Sequence, residues 1–287
     1  MLTPHTHGNG LVTFQSPLLR AAGVPHAFST RRGGVSPAPF DTLNLGNPAS
    51  CAAPDSSAHL DENYRRLGAA IDALYGTPAA PTCRAWASQV HGRHVELIEP
   101  EPENEYAESL AAAIADQYHG QRAADALVTR HPQVMLTIRV ADCVPVLLAS
   151  ADGRQVAAVH CGWRGVVAGI VARALLVFAE SQIPPERILA AIGPGIAGAA
   201  FEVGPEVAAE FSKANLPEAL LISPNSKPHI DLQAAIHTQL SRAGVAQIDG
   251  NTLCTYRDRD LFFSHRRDHG MTGRMAALVR PASPAPK

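Results

Sequence analysis

The chain has 287 residues, a length that suits one large domain or two small ones. Hydrophobic residues make up 46% of it and charged residues 17%, a globular composition with enough apolar material for a core. Its formal net charge of -2 provides no general attraction to nucleic acid or to an anionic membrane. Any phosphate binding therefore has to be local.

The chain shows no sequence signal for export or membrane insertion. A basic start followed by an apolar segment is missing at the N-terminus, and no apolar stretch approaches the ~18 residues of a membrane span. The five cysteines are an odd number and are widely scattered: Cys51, Cys83, Cys143, Cys161 and Cys254. This pattern favours free thiols in a reducing compartment. We expect a cytoplasmic monomer that binds neither membranes nor nucleic acid.

The first half of the chain combines loops with helices and short strands. Residues 1–24 and 281–287 are rich in turn residues, which predicts a loose N-terminal segment and a flexible tail. Turn residues recur throughout 29–53, which predicts a long loop. Helical spacing of Leu67, Ile71 and Leu74 predicts a helix over 61–74. Residues 83–99 are strand-like around a turn at Gly92, and 108–120 has the pattern of a helix.

The second half is dominated by apolar strands. Strands are predicted at 124–129, 134–149 and 155–163, the last two joined by an Asp152-Gly153 hairpin turn. A helix over 166–182, a strand over 187–196, helices over 204–214 and 231–244, and a strand over 274–280 follow. No linker or repeat divides the sequence. The mixture predicts one α/β domain with mixed sheets at residues 25–280.

Two of these apolar strands contain residues that a core disfavours. Cys143 lies beside Asp142, and His160 is followed closely by Trp163 and Arg164. Alone, a buried cysteine or a hydrogen-bonded strand histidine is an ordinary core residue. Together, on strands joined by a hairpin, they indicate a site.

His91, in front of Gly92 at a strand end, is a third candidate for this site. Two imidazoles and one thiolate suit Zn²⁺ with its fourth position open, the pattern of a catalytic rather than a structural site. Such a metal lowers the pKa of bound water to about 7. Asp142 either orients a ligand, acts as a base or is structural. Cys161 also offers a thiol, but adjacent strand residues point to opposite faces, so we expect it in the core.

Arginine residues beside glycines are a second group of candidates. Guanidinium groups suit phosphate or carboxylate recognition, and such loops hold Arg31, Arg32, Arg164, Arg266, Arg267 and Arg274. Arginine also supplies nearly all of the 24 cationic side chains, which weakens the significance of any single one. Asn44, a polar residue between leucines, either reaches into a site or caps a turn.

Several segments resemble a known family. In chain order they are SQVHG, ADALVT, VADCVPVLL, AAVHCGWRG, AIGPGI, FEVG and RRDHGMTGRMA. With STRRGGVSPAPFDTLNLG near the start, they resemble the laccase-domain (YfiH-type) family over residues 25–280. Proteins of that family have been called polyphenol oxidases and purine nucleoside phosphorylases.

The resemblance implies a single-domain α/β/β/α sandwich and a zinc site with the ligands His91, Cys143 and His160. Members commonly have alanine after the last histidine, where this chain has Cys161. The candidate catalytic residues are therefore His91, Asp142, Cys143 and His160. The candidate substrate-binding residues are Arg31, Asn44 and Arg164.

The implied activity is phosphorolysis of adenosine, inosine, guanosine and methylthioadenosine to the free base and a sugar 1-phosphate. Deamination of adenosine is implied as a second reaction. Arg31 and Arg164 are our candidates for phosphate binding.

The residues alone leave three alternative functions open. The same ligands suit a copper phenol oxidase, although such a copper site usually adds an axial methionine. A cysteine hydrolase would use His160 to activate Cys143, with an amide such as a cell-wall precursor peptide as substrate. A metal-stabilised interaction module is the non-enzymatic alternative, and it would unfold without its metal.

Overall fold

Two β-sheets packed face to face form the centre of the protein. The computed structural model describes residues 1–49, 51–76, 82–99, 119–221 and 227–283. The larger sheet has seven strands, in the order β1 (Thr3–Thr6), β2 (Val12–Gln15), β3 (His26–Ser29), β15 (Met275–Val279), β8 (Val134–Val140), β4 (Cys83–Ser88) and β6 (His119–Ala123). The smaller sheet has six strands, in the order β14 (Gln247–Asp249), β11 (Ile188–Ile192), β9 (Val144–Ser150), β10 (Val156–Cys161), β7 (Ala126–Thr129) and β5 (Val95–Ile98).

Helices cover the outer faces of both sheets. They are α2 (Ser57–Tyr75), α3 (Trp163–Val167), α4 (Ile170–Glu180), α5 (Pro205–Lys213) and α6 (Leu232–Arg242), whereas α1 (Pro17–Ala21) packs Leu19 into the cluster between the sheets. A short ladder joins β12 (Leu220–Leu221) to β13 (His229–Ile230). Within the described part of the chain, no helix is long and apolar enough to span a bilayer.

Three apolar clusters confirm the predicted α/β/β/α layers. Helix α2 packs Leu67 and Ile71 against the outer face of the seven-stranded sheet. Residues such as Ile138 and Leu147 fill the space between the sheets. On the far side, α4 and α6 cover the six-stranded sheet. Successive residues along a strand therefore point alternately into the space between the sheets and toward the helices.

The apolar run at 134–149 is two strands rather than the single strand that its composition predicts. Strand β8 ends at Val140 in the larger sheet, and β9 begins at Val144 in the smaller one. Between them Asp142 has a φ of 88°, a left-handed conformation that aspartate tolerates better than most residues. Cys143 therefore lies in the link between the sheets and not in the middle of a strand.

The Asp152-Gly153 hairpin between β9 and β10 is confirmed, and its register decides where two adjacent residues point. His160 pairs with Pro145 and Cys161 pairs with Val144. Val156 and Ala158 face the space between the sheets, so His160 does the same, whereas Cys161 joins the helix-facing cluster. The prediction that Cys161 belongs to the core is confirmed.

The structure confirms most of the other predicted helices and strands and corrects the bounds of some. The helices over 61–74, 204–214 and 231–244 and the strands over 187–196 and 274–280 are present with shifted ends. The helix over 166–182 is broken into α3 and α4 at Gly169, whose φ is 80°. Of the helix predicted over 108–120, residues 108–118 lie outside the described residues, and Gly120 belongs to β6.

The N-terminal segment 1–24 is not loose. Strands β1 and β2 extend the larger sheet by antiparallel pairing, and Phe14 enters the inter-sheet cluster. At the other end, the amide of Ala282 donates to the carbonyl of Gly153 at 2.9 Å, and residues 284–287 of the predicted tail lie outside the described part.

Replacing Phe14 by alanine should lower the free energy of unfolding by about 3 kcal/mol, because a buried ring leaves a cavity. The exposed Thr6→Ala on the neighbouring strand is the control and should change it by less than about 0.5 kcal/mol. Denaturant titration of both variants measures the difference. Equal unfolding midpoints would contradict the inclusion of the N-terminal hairpin in the packed structure.

Candidate functional site

Three side chains of the metal-ligand type meet at one end of the two sheets. His91 lies in the turn between β4 and β5, Cys143 in the link between β8 and β9, and His160 near the end of β10. Their ligand atoms all lie within 4.8 Å of one another. Within the described ranges this is the one group of three or more His, Cys, Asp or Glu side chains arranged to hold a metal ion. The structure thus brings together the three predicted ligands.

The distances suit a small metal ion. Cys143 Sγ lies 3.7 Å from His91 Nε2, and the rings of His91 and His160 are edge to face with their centres 4.8 Å apart. A tetrahedral zinc ion with ligand distances of ~2.3 Å to sulfur and ~2.1 Å to nitrogen holds these two atom types about 3.6 Å apart. The donor set and its spacing therefore fit zinc.

A buried carboxylate orients both histidines. Asp125, which has no exposed surface, accepts a hydrogen bond from Nδ1 of His160 at 2.8 Å. It also accepts from the amides of His91 at 2.9 Å and Gly92 at 2.6 Å. With Nδ1 of His160 donating to Asp125, Nε2 of that ring is left free to bind a metal. Carboxylates that orient metal-binding histidines in this way are a common feature of zinc sites.

Glycine and backbone geometry allow the close approach of the segments. A Cβ on Gly162 would lie 2.6 Å from the His91 ring and 3.3 Å from Cys143 Sγ, and a Cβ on Gly165 would lie 2.8 Å from the carbonyl of Gly92. The turn predicted at Gly92 depends on His91 itself, whose φ is 59°. The glycines of HCGWRG therefore make room for the His91 turn.

The charges of Cys143 and His160 depend on each other. Burial raises the pKa of Cys143, but the charge of His160 and hydrogen bonds from both histidines outweigh it and lower that pKa to about 6. Burial lowers the pKa of His160, yet the charge of Cys143 and the hydrogen bond to Asp125 raise it to about 9. Since zinc binds thiolate and neutral imidazole, a zinc ion at this site would displace the proton on Nε2 of His160.

Asp142 is occupied with structural contacts. Its carboxylate accepts from the hydroxyl of Thr255 at 2.6 Å and from the amide of Arg266 at 2.7 Å. Its carbonyl accepts from the amide of Ile196 at 2.8 Å. These contacts favour the structural alternative for Asp142 over the role of a base, because both carboxylate oxygens already have donors.

A cavity of about 610 Å³ opens beside the three ligands. Four arginines line it: Arg139, Arg164, Arg266 and Arg274. Trp163, Ile196, Phe201 and Leu232 contribute apolar surface. Asp142 is the sole acidic residue among the described residues that line the cavity. The four arginines therefore give the cavity wall a net positive charge.

The predicted substrate-binding residues separate in the structure. Arg164 lines the cavity, with its guanidinium 4.4 Å from the centre of the Trp163 ring. Arg31 does not line it, because its side chain is bound to Asp41 by a 3.0 Å ion pair and packs over Phe263. Asn44 is fully buried and also lies outside the lining, and its side-chain oxygen Oδ1 accepts a hydrogen bond from the amide of Arg274 at 2.9 Å.

Sequence reasoning missed Asp125 and Arg139. A carboxylate at the start of the apolar segment ADALVT, and a guanidinium in the apolar strand LTIRVADC, are both residues that a core disfavours. A search for charged residues inside apolar strand segments would have identified both Asp125 and Arg139. Arg267, by contrast, donates to the carbonyls of Thr255 and Phe262 and fastens its own loop.

Comparison with known proteins identifies the family of this chain. Residues 25–281 match the family described as multi-copper polyphenol oxidoreductase laccase, and the chain belongs to that family. It is 38% identical over 270 residues to "Purine nucleoside phosphorylase YfiH" of Shigella flexneri, covering 94% of this chain and 98% of that protein. It is 39% identical over 265 residues to "Purine nucleoside phosphorylase" of Deinococcus radiodurans, with 92% of each chain covered.

Solved structures show the same fold. The crystal structure of YlmD from Geobacillus stearothermophilus is similar with a TM-score of 0.80 and 27% identity, over 99% of this chain and 100% of that one. The structure of Neisseria meningitidis protein NMB0706 has a TM-score of 0.75 and 32% identity, over 95% and 99% of the two chains.

Gly162→Ala should weaken zinc binding by about 10-fold or more, because the added methyl group displaces the His91 ring and misplaced ligands lose affinity. Gly68→Ala is the matched control, since a Cβ there meets no atom within 4 Å. Competition with a chromophoric chelator measures both affinities. Equal affinity in the two variants would contradict the participation of His91.

Proposed function

We propose that the protein is a zinc-dependent purine nucleoside phosphorylase acting on adenosine, inosine, guanosine and methylthioadenosine, and that it also deaminates adenosine. The observation that carries this proposal is that the three ligand-type side chains and four arginines wall one cavity. The names of the two curated relatives support the phosphorylase activity.

The arginines supply a place for phosphate. The guanidinium groups of Arg139 and Arg164 have no hydrogen-bond acceptor among the described residues, so their donors are available to an anion. Arg274 donates to the carbonyls of Thr272 and Gly273, which holds its charge beside the cavity. Planar guanidinium groups bind phosphate oxygens in pairs. Arg139 and Arg164 are therefore our phosphate-binding candidates, and Arg164 retains the role expected from sequence.

The apolar wall suits the nucleoside. Trp163 and Phe201 are half-buried aromatic rings, and Ile196 and Leu232 are buried beside the same cavity. A purine base is flat and apolar on its faces and stacks well on such rings. Arg164 packs over the Trp163 ring and Arg266 over the Phe201 ring, so the surface for the base and the donors for phosphate adjoin within this one cavity.

His91, Cys143 and His160 would hold the zinc ion, which would supply a Lewis acid and lower the pKa of bound water, the chemistry that deamination requires. Asp125 orients the ring of His160 and the turn that carries His91. Asp142 holds the segments of Ile196, Thr255 and Arg266 around Cys143.

Copper oxidase chemistry has less support. No methionine lines the cavity in the described part of the chain, so the axial ligand usual for a trigonal copper site is not at hand. A cluster of several coppers needs further groups of histidines, and the described residues contain a single candidate group.

A cysteine hydrolase is the second candidate, and one observation favours it. Asp125, His160 and Cys143 form the order of orienting acid, base and thiol that such enzymes use. Hydrolysis of a cell-wall precursor amide by metal-free protein, abolished by alkylation of Cys143, would favour this candidate over the zinc enzyme.

The proposed enzyme works in the cytoplasm as a monomer, with purine nucleosides and phosphate as its partners. The five cysteines are all free, which supports a reducing compartment.

Zinc-loaded protein incubated with adenosine and phosphate should release adenine and ribose 1-phosphate, and without phosphate it should form inosine. Chromatography of the products measures both reactions. Cys143→Ala should abolish them, whereas Cys161→Ala, whose thiol faces the helices, should retain them. Release of neither adenine nor inosine by the wild-type protein would overturn the proposal.

A further inference from the structure

The proposed phosphorolysis needs a proton for the leaving base, and the cavity contains few groups able to give one. A purine leaves poorly as an anion, and protonation at N7 as the C1′–N9 bond breaks makes the leaving group neutral. General acids of this kind typically accelerate such a step by about 10²–10⁴-fold. The donor has to line the cavity and exchange protons near neutral pH.

Most of the lining side chains are unsuited to this task. His91, Cys143 and His160 are committed to one another and to the metal. Both carboxylate oxygens of Asp142 accept hydrogen bonds from protein donors. Arginine does not give up its proton in proteins.

His265 is the lining side chain that remains. It is exposed to the cavity, and its imidazole has no hydrogen-bond partner among the described residues. Histidine is the side chain that most readily both gives and takes a proton near neutral pH. We propose that His265 is the general acid that protonates the purine leaving group, an inference that rests on the proposed phosphorylase function.

The backbone around His265 is held rigidly, as a catalytic group requires. Ser264 on one side is fully buried, and the amide of Arg266 on the other donates to the Asp142 carboxylate at 2.7 Å. The carbonyl of His265 accepts from the amide of Gly270 at 2.9 Å. A Cβ on Gly270 would lie 3.3 Å from the imidazole, so this glycine leaves room for the ring. Through Asp142, the position of His265 is linked to the neighbouring Cys143.

The proton and electron balance of the step is complete. A phosphate oxygen forms a bond to C1′ while the C1′–N9 bond breaks, and the electron pair of that bond moves onto the base. The imidazolium of His265 gives one proton to N7, so the base leaves neutral. The imidazole then takes up the proton that the hydrogen phosphate brought in, and the enzyme returns to its starting state.

The test uses two nucleosides with different leaving groups, inosine and 7-methylguanosine. The base of 7-methylguanosine already carries a positive charge on its N7-methylated ring and leaves neutral without a proton. In zinc-loaded protein, His265→Asn should lower kcat/KM for phosphorolysis of inosine by about 10²–10⁴-fold and leave that of 7-methylguanosine nearly unchanged.

His269→Asn is the matched control, because His269 lies on the same loop, is exposed and does not line the cavity. It should cleave both nucleosides like the wild type. Retained cleavage of 7-methylguanosine by His265→Asn also shows that the variant is folded.

Each other outcome overturns a defined claim. An equal loss on both nucleosides in His265→Asn, or no loss on either, overturns the role of His265 while the phosphorylase function stands. A wild-type protein that releases no base from either nucleoside overturns the proposed function, and the role of His265 falls with it.

Discussion

The fully buried carboxylate of Asp125 accepts hydrogen bonds from the imidazole of His160 and from the amides of His91 and Gly92. Burial by itself raises the pKa of Asp125, but these donors outweigh it and keep that pKa below its ordinary value. A buried charge is tolerated only when it is paired in this way, and removal of one partner of such a pair typically costs about 3–5 kcal/mol. One side chain thereby joins the turn before β5 to the end of β10. The separation of the two histidine ligands depends on it.

The third ligand depends on a different feature, the crossing of the chain from one sheet to the other. An uninterrupted strand over 134–149 would hold Cys143 in the core. The left-handed Asp142 ends that strand, and its carboxylate then fastens the segments of Thr255 and Arg266. The link that presents the thiol therefore also builds the wall of the cavity. This explains why an acidic residue beside the cysteine is needed even though it has no free oxygen for chemistry.

The mixed α/β character and the three candidate ligands were predictable from local patterns, whereas the α/β/β/α layering was expected only from the family resemblance. Strand alternation separated His160 from Cys161, and the Asp-Gly turn placed β9 beside β10. The break at Asp142 was not predictable, since composition alone does not say to which sheet each half of an apolar run belongs. The N-terminal hairpin was missed for a related reason. Its turn residues suggested a loose segment, but pairing with β3 and the burial of Phe14 come from distant parts of the chain.

Substrate-binding residues were the least predictable part of the site. Arg31 and Arg164 both stand beside glycines in loops, yet the structure puts only Arg164 in the cavity and binds Arg31 to Asp41. Arg139 enters the cavity from a strand, where no loop motif marks it. Charge type is visible in a sequence, but the direction in which a long side chain points is decided by tertiary contacts.

X-ray absorption at the zinc edge of the loaded protein tests the central claim, a zinc site of two histidines and one cysteine. The account predicts a coordination shell with one sulfur at ~2.3 Å and nitrogen or oxygen atoms at ~2.0–2.1 Å, unchanged in Cys161→Ala. A shell without sulfur, or one that loses its sulfur in Cys161→Ala, would contradict it.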